Sequence, residues 1–332
     1  VSTSWGRVVE RLERHQIALY LLAIVAGFAV ALLVAGAHVL EVGINPSIAL
    51  LLYVTFLGIP LTRLRAAFTD VRFLTTLLVV NFVAVPLVVF ALSRFVAHDP
   101  ALLIGVLLVL LCPCIDYVIV FSGLAGAAQD KLLAAAPLLM LVQLVLLPAY
   151  LWMFAGASTL GIIEVGPFVE AFLVLIVVPL LAAALTQWAT ARNRLVAGVA
   201  AAAPASMVPL MMLVLFVVVA SQAQRLTTNS VALAGLVPLY AGFLVVMAVV
   251  GVLTARAVRL DVPTSRALTF SGATRNSLVV LPLALALPPA LAIAPAVVVT
   301  QTLVELVGMV VYVRLVPRLI PDRTRQAQLV SR

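Results

Sequence analysis

Leu111-Cys112-Pro113-Cys114-Ile115-Asp116-Tyr117-Val118-Ile119-Val120-Phe121-Ser122-Gly123 is an apolar run broken by a proline between two thiols, with a carboxylate three residues on. Proline inside a helix removes a backbone donor and clashes with the preceding turn. The apolar residues continue on both sides, from 101 to 126, so the break falls in the middle of a segment long enough to cross a bilayer. A second stretch has the same character. Thr269-Phe270-Ser271-Gly272-Ala273-Thr274-Arg275-Asn276-Ser277-Leu278 puts a polar run with a helix-weakening glycine at mid-depth of another span, with Pro282 following.

The rest of the chain is apolar enough to make a bilayer its solvent. Of 332 residues, 65% are hydrophobic and 10% charged, against about 45–50% and about 25% in soluble domains. Apolar runs are expected to span at 17–39, 45–61, 72–93, 101–126 and 132–154, then at 167–188, 204–221, 231–254, 266–288 and 292–316. The run from Ile17 to Val39 exceeds the core of a signal peptide and has no small-residue cleavage site after it, so it is read as the first span. Segment 1–16 and the tail 317–332 are expected in the cytoplasm. Among the 20 Lys and Arg residues, Arg94 and Arg225 fall in outside loops and Arg275 within a span, while the others gather on the inside. This bias places both termini in the cytoplasm and the protein in a cytoplasmic (inner or plasma) membrane. It also explains the net charge of +8 without a nucleic-acid partner, because the basic residues form no patch with interleaved aromatics.

Five spans per half require the halves to be inverted if they are repeats. The expected fold is therefore an all-α membrane protein of about ten helices. It consists of two five-helix repeats, 17–154 and 167–316, whose broken fourth and ninth helices cross at the midplane. One such span alone would read as a kink. Two in register, both carrying ionisable groups, point to a binding site, since non-helical backbone survives in lipid only inside protein or beside a wet cavity. The midplane charges are Asp116, Arg275 and Glu305. Each is costly to insert, by about 2.5–3.5 kcal/mol on biological scales, and is expected to pair or to face water. Asp116 and Arg275, at equivalent places, are expected to form an ion pair or to reach each other through water. Glu305 has no obvious cationic partner in the sequence and is the first candidate for proton exchange.

These segments resemble the arsenite efflux permease family, within the larger superfamily of bile-acid, arsenite and riboflavin transporters. The resemblance rests on Cys114-Ile115 with Val118-Ile119-Val120, on the small polar run Ser271 to Asn276, and on Leu303-Val304-Glu305-Leu306. Cys114 and Glu305 fall where the family pattern has its cysteine and its last glutamate. Where the family has an arginine before the cysteine, this chain has Pro113. Where it has paired asparagines and then a glutamate, this chain has Arg275, Asn276 and Leu278. The cation and the anion are thus exchanged across the crossing.

The resemblance implies a secondary transporter that exports arsenite or antimonite by proton antiport, and no enzyme. Such metalloids are uncharged, thiol-seeking trihydroxides, for which a soft sulfur ligand is suited. Cys114 would supply it, with Ser122, Ser271, Thr274 and Asn276 as polar contacts. Cys112 joins Cys114 only if the break is extended, where residues two apart share a face. Sodium would be repelled by Arg275, so protons are the expected coupling ion, moving through Glu305 and Asp116. The chief alternative is an importer of a small organic anion held by Arg275. Metal or organic cofactors are not expected, and His15, His38 and His98 lie apart from the mid-depth residues, which disfavours an intramembrane hydrolase.

Overall fold

A computed structural model describes residues 4–34, 36–58, 70–115, 117–156, 166, 170, 173–190 and 192–322. The end of the expected second span, most of the start of the sixth and the last residues of the tail lie outside the described residues. The first half of the chain supplies α1 (Ser4–Leu33), α2 (Ile44–Gly58), α3 (Val71–Val79), α4 (Val85–Ser93), α5 (Pro100–Leu110), α6 (Tyr117–Leu124) and α7 (Gln129–Ala155). The second supplies α8 (Val178–Thr190), α9 (Arg194–Thr228), α10 (Ser230–Ala257), α11 (Val262–Ala273), α12 (Ser277–Leu285) and α13 (Ala294–Leu319). Helix thus stands at every place where a span is expected, and the fourth and ninth are each divided in two, as α5–α6 and α11–α12.

Five described segments are long and apolar enough to cross a bilayer: Val39–Gly58, Val71–Val96, Ala205–Gln224, Ser230–Ala257 and Pro289–Leu319. A sixth, α7, bends by 50° between Gln143 and Val145. Pro148 lies one turn further on and leaves a carbonyl of that turn without its helical donor. The third span is continuous but carries a π-helical turn, Val80–Ala84, between α3 and α4. Pro86 has no amide to give the Phe82 carbonyl, and the Tyr150 hydroxyl donates to that oxygen at 2.5 Å instead.

The helices pack as two bundles, each drawing the same ordinal spans from both halves. In one, α9 lies against α1 and α2, and α8 against α2 and α9. In the other, α13 packs on α5, α10 and α12, while α11 packs on α3, α6, α7 and α10. Both broken spans belong to the second bundle. One end of it is tied by polar contacts. Lys131 Nζ donates to Asp70 Oδ2 at 2.7 Å and to Thr264 Oγ1 at 2.9 Å, joining the third, fifth and ninth spans. The Arg266 guanidinium donates to the carbonyls of Ala125 and Ile320 at 2.9–3.1 Å, joining the fourth, ninth and tenth.

Asp70 caps α3, accepting from the Phe73 amide at 3.0 Å. The hydrogen bond from Lys131, then that from Phe73, holds its carboxyl below the ordinary value of 3.8. A depressed folded-state value means that the stabilisation is complete above that ordinary value and is lost as pH falls through the lower one. Acid titration of thermal unfolding should therefore show an added loss below about pH 3.8. Asp70→Asn should lack that component, and an unchanged acid limb would show that the bridge contributes nothing.

Gly105 sets the distance between α5 and α13. A methyl group there would meet Val297 Cβ at 2.7 Å and the Ala294 carbonyl oxygen at 3.2 Å. Gly105→Ala is therefore expected to destabilise the protein by about 1–3 kcal/mol through overpacking. Thermal unfolding in detergent reads the effect, and an unaltered midpoint would mean that the two helices separate freely.

Candidate functional site

The two breaks meet. Residues 111–115 and 274–276 leave the helical path at the same depth and pair as a single antiparallel bridge, with Pro113 opposite Arg275. The Cys114 amide donates to the Thr274 carbonyl at 3.1 Å, and the Asn276 amide to the Cys112 carbonyl at 2.8 Å. Proline can sit in such a bridge because the pairing needs nothing from its missing N–H. The bridge answers the question of backbone satisfaction in lipid, since each broken helix supplies the partners that the other lacks. Residues 112–114 are thus extended, the condition under which Cys112 and Cys114 share a side. Both thiols are buried, and the amide of Gln143 donates to the Cys112 sulfur.

The same diversion explains the placement of Arg275. In an unbroken helix the amides of Arg275 and Asn276 would serve the carbonyls of Ser271 and Gly272. Here they go to Glu305 Oε2, at 2.9 Å, and to Cys112. The two carbonyls left over at the end of α11 are recovered by the guanidinium of the same residue. Its Nη2 donates to Ser271 O at 2.6 Å, Gly272 O at 2.9 Å and Asn81 Oδ1 at 2.9 Å. A cation at a helix C-terminus is favoured by the helix dipole as well. Phe243 closes the other side, with its ring centre 5.7 Å from the guanidinium carbon. Arg275 is completely buried, and among the described residues its Nε and Nη1 find no acceptor.

Asn81 belongs to the π-helical turn of the third span, a distortion frequent at functional sites. Its amide donates to Leu77 O at 3.0 Å and to Ser271 Oγ at 3.1 Å, which turns its oxygen toward Arg275. Glu305, also buried, accepts from the Tyr117 hydroxyl at Oε1 and from Gln301, one turn earlier on α13, at Oε2. The Tyr117 hydroxyl also reaches the Arg275 carbonyl at 2.9 Å. Five spans therefore converge on Arg275: the third, fourth, eighth, ninth and tenth.

Of the residues expected at the site, Cys112, Cys114, Arg275, Thr274, Asn276, Ser271 and Glu305 come together at the crossing. Asp116, expected to pair with Arg275, lies outside the described residues. Several of the expected polar contacts are engaged locally. Thr274 donates to Phe270 O at 2.7 Å and contacts Met309 Sδ at 3.4 Å. Asn276 Oδ1 caps α12 through the Val279 amide at 3.2 Å. Ser122, one helix length along α6, donates to Ile119 O at 3.0 Å. The buried atoms that lack partners among the described residues include, besides Arg275 Nε and Nη1, Ser277 Oγ and Gln301 Oε1. Ser277 neighbours Asn276, and Gln301 touches Glu305, so these atoms belong to the same region.

Sequence reasoning missed Asn81, Tyr117, Gln143, Ser277 and Gln301. All but Ser277 had one available signal, a polar side chain within an otherwise apolar span. Gln301 had a second, lying four residues before Glu305 and so on the same helix face.

The description of the sodium bile acid symporter family matches residues 45–229, more than half of the chain. The matched region includes the broken fourth span with Cys112 and Cys114 and ends before the spans that carry Arg275 and Glu305. No curated protein matches the chain. A multi-span helical bundle with two crossing breaks, matched over this length, identifies the chain as a member of the sodium bile acid symporter family and a secondary transporter.

Proposed function

We propose that this transporter exports a trivalent metalloid, arsenite or antimonite, from the cytoplasm, with protons entering in exchange. The observation that carries this reading is the company kept by the two thiols. Cys112 and Cys114 flank Pro113 on the extended segment that pairs with Arg275, in the region of buried polar atoms that lack partners among the described residues. A trihydroxide of a soft element fits that set. Its centre takes sulfur ligands. Its hydroxyls accept from Arg275 Nε and Nη1, donate to Gln301 Oε1, and do either with Ser277.

The rival reading, import of a small organic anion, has one observation in its favour: Arg275 Nε and Nη1 find no acceptor among the described residues and suit a carboxylate. A carboxylate has acceptors alone. It therefore leaves Gln301 Oε1 without a donor and both thiols without a role.

For the coupling ion, Arg275 Nη2 already occupies the three oxygens of Asn81, Ser271 and Gly272. A fixed positive charge there opposes a second cation. Glu305, buried and hydrogen-bonded on both oxygens, is then the proton carrier, and Asp116 of the fourth span shares in the coupling. The basic residues place the termini in the cytoplasm of an inner or plasma membrane, and the two five-helix halves form inverted repeats.

The test is accumulation of labelled arsenite in everted vesicles energised by a proton gradient. Uptake that needs protons and is lost in Cys114→Ser supports the proposal. A requirement for sodium sinks the coupling. Import of a labelled carboxylate that depends on Arg275 but not on Cys114 replaces the substrate.

A further inference from the structure

Tyr117 opens the second half of the fourth span, and its hydroxyl lies between two acceptors, the Arg275 carbonyl at 2.9 Å and Glu305 Oε1. A phenol carries one proton and can serve one of these oxygens. The second contact becomes a hydrogen bond when the carboxyl brings a proton of its own and donates from Oε1 to the phenol oxygen. The other carboxyl oxygen is the accepting side, taking the Arg275 amide at 2.9 Å and the Gln301 amide. The resulting ring runs from the Glu305 O–H to the Tyr117 oxygen, from the Tyr117 O–H to the Arg275 carbonyl, and from the Arg275 amide back to Glu305. It encloses both peptide groups of the residue that pairs with Pro113.

We propose that Tyr117 is a positioning residue that transmits the proton occupancy of Glu305 to the joint between the two broken spans. This rests on the reading of Glu305 as the proton-exchanging group. With the proton bound, the ring is closed and Arg275 is held at both peptide groups. When the proton leaves for water, the phenol O–H turns from the Arg275 carbonyl to the carboxylate. The carbonyl, on a completely buried residue, loses its donor. Such a loss at one residue of a two-residue bridge biases the joint toward a second arrangement. The other charged or titratable groups facing this ring from the described residues are the Arg275 guanidinium, Tyr312 on α13, and the two thiols of the fourth span next to Arg275. Tyr312 donates to Leu244 O and holds α10 rather than the ring.

Infrared difference spectroscopy on the full chain in lipid tests this directly. The parent should show the C=O stretch of a protonated carboxyl that disappears in Glu305→Gln. In Tyr117→Phe the band should move to higher frequency, because the carboxyl O–H loses its acceptor. In transport, Tyr117→Phe is read by accumulation against a gradient. It should lose about tenfold of gradient-driven accumulation, the rate equivalent of one buried hydrogen bond. If that variant does not fold, isotope-labelled tyrosine in the parent decides. A ring mode should shift in step with the carboxyl band as pH changes and stay fixed in Glu305→Gln. A parent without the carboxyl band at any pH overturns the proposal, as does a Tyr117→Phe band that coincides with the parent's. The spectrum reads the carboxyl whatever solute is carried, so failure of the metalloid reading leaves this result intact and the converse also holds.

Discussion

Arg275→Ala is expected to cost about 3–5 kcal/mol, the scale for removing one member of a buried charged contact. The substitution strands three oxygens at once, those of Asn81, Ser271 and Gly272, all now served by Nη2. An unsatisfied buried acceptor costs about 1–3 kcal/mol. The helical donors that would ordinarily recover the two carbonyls are committed to Glu305 and Cys112, so relaxation toward an unbroken helix would dismantle the bridge. Arg275→Lys should be less damaging, since it keeps the charge but has a single ammonium in place of the planar fork. Thermal unfolding of the purified variants provides the measurement. An alanine variant as stable as the parent would falsify the view that the guanidinium holds the crossing together.

Cys114→Ser should leave the protein folded and reduce proton-driven arsenite accumulation by at least about tenfold, the effect of about 1.4 kcal/mol in binding. Serine is close in size and can keep the local packing. The bridge hydrogen bond at this position is made by the backbone amide and survives the change. What is lost is the soft ligand, and oxygen does not replace it for a thiol-seeking element. Cys112→Ser should have the smaller effect, because the Cys112 sulfur already accepts from Gln143. Equal losses in both variants would mean that the substrate bridges the two thiols. Undiminished accumulation in both would remove the crossing as the metalloid site while leaving its structural role.

The residues that made the breaks were legible in advance because they act locally. Pro113 cannot donate to a helix and Gly272 weakens one, whatever surrounds them. The apolar runs likewise mark their own spans, and the family match over 45–229 agrees with that outline. The polar network was harder to read. Asn81, Gln143 and Gln301 each stand alone in the sequence as one amide in an apolar helix, and nothing local tells a buried network from an isolated interhelical contact. Glu305 has no obvious cationic side chain to pair with in the sequence. Its partner is the backbone amide of Arg275, freed by a break thirty positions earlier in the chain.

From the sequence by itself came the membrane, the helical class, the two interrupted spans and the identity of the ionisable groups at mid-depth. Each depends on composition or on the intrinsic geometry of a few neighbouring residues. The tertiary structure decided that the two breaks pair with each other. It showed that Arg275 turns back on the end of its own helix, and that Tyr117 stands between its carbonyl and Glu305. Those outcomes depend on which unsatisfied backbone groups are brought face to face. In lipid, where water does not compete, that matching across distant segments determines where every buried polar group finds its partner.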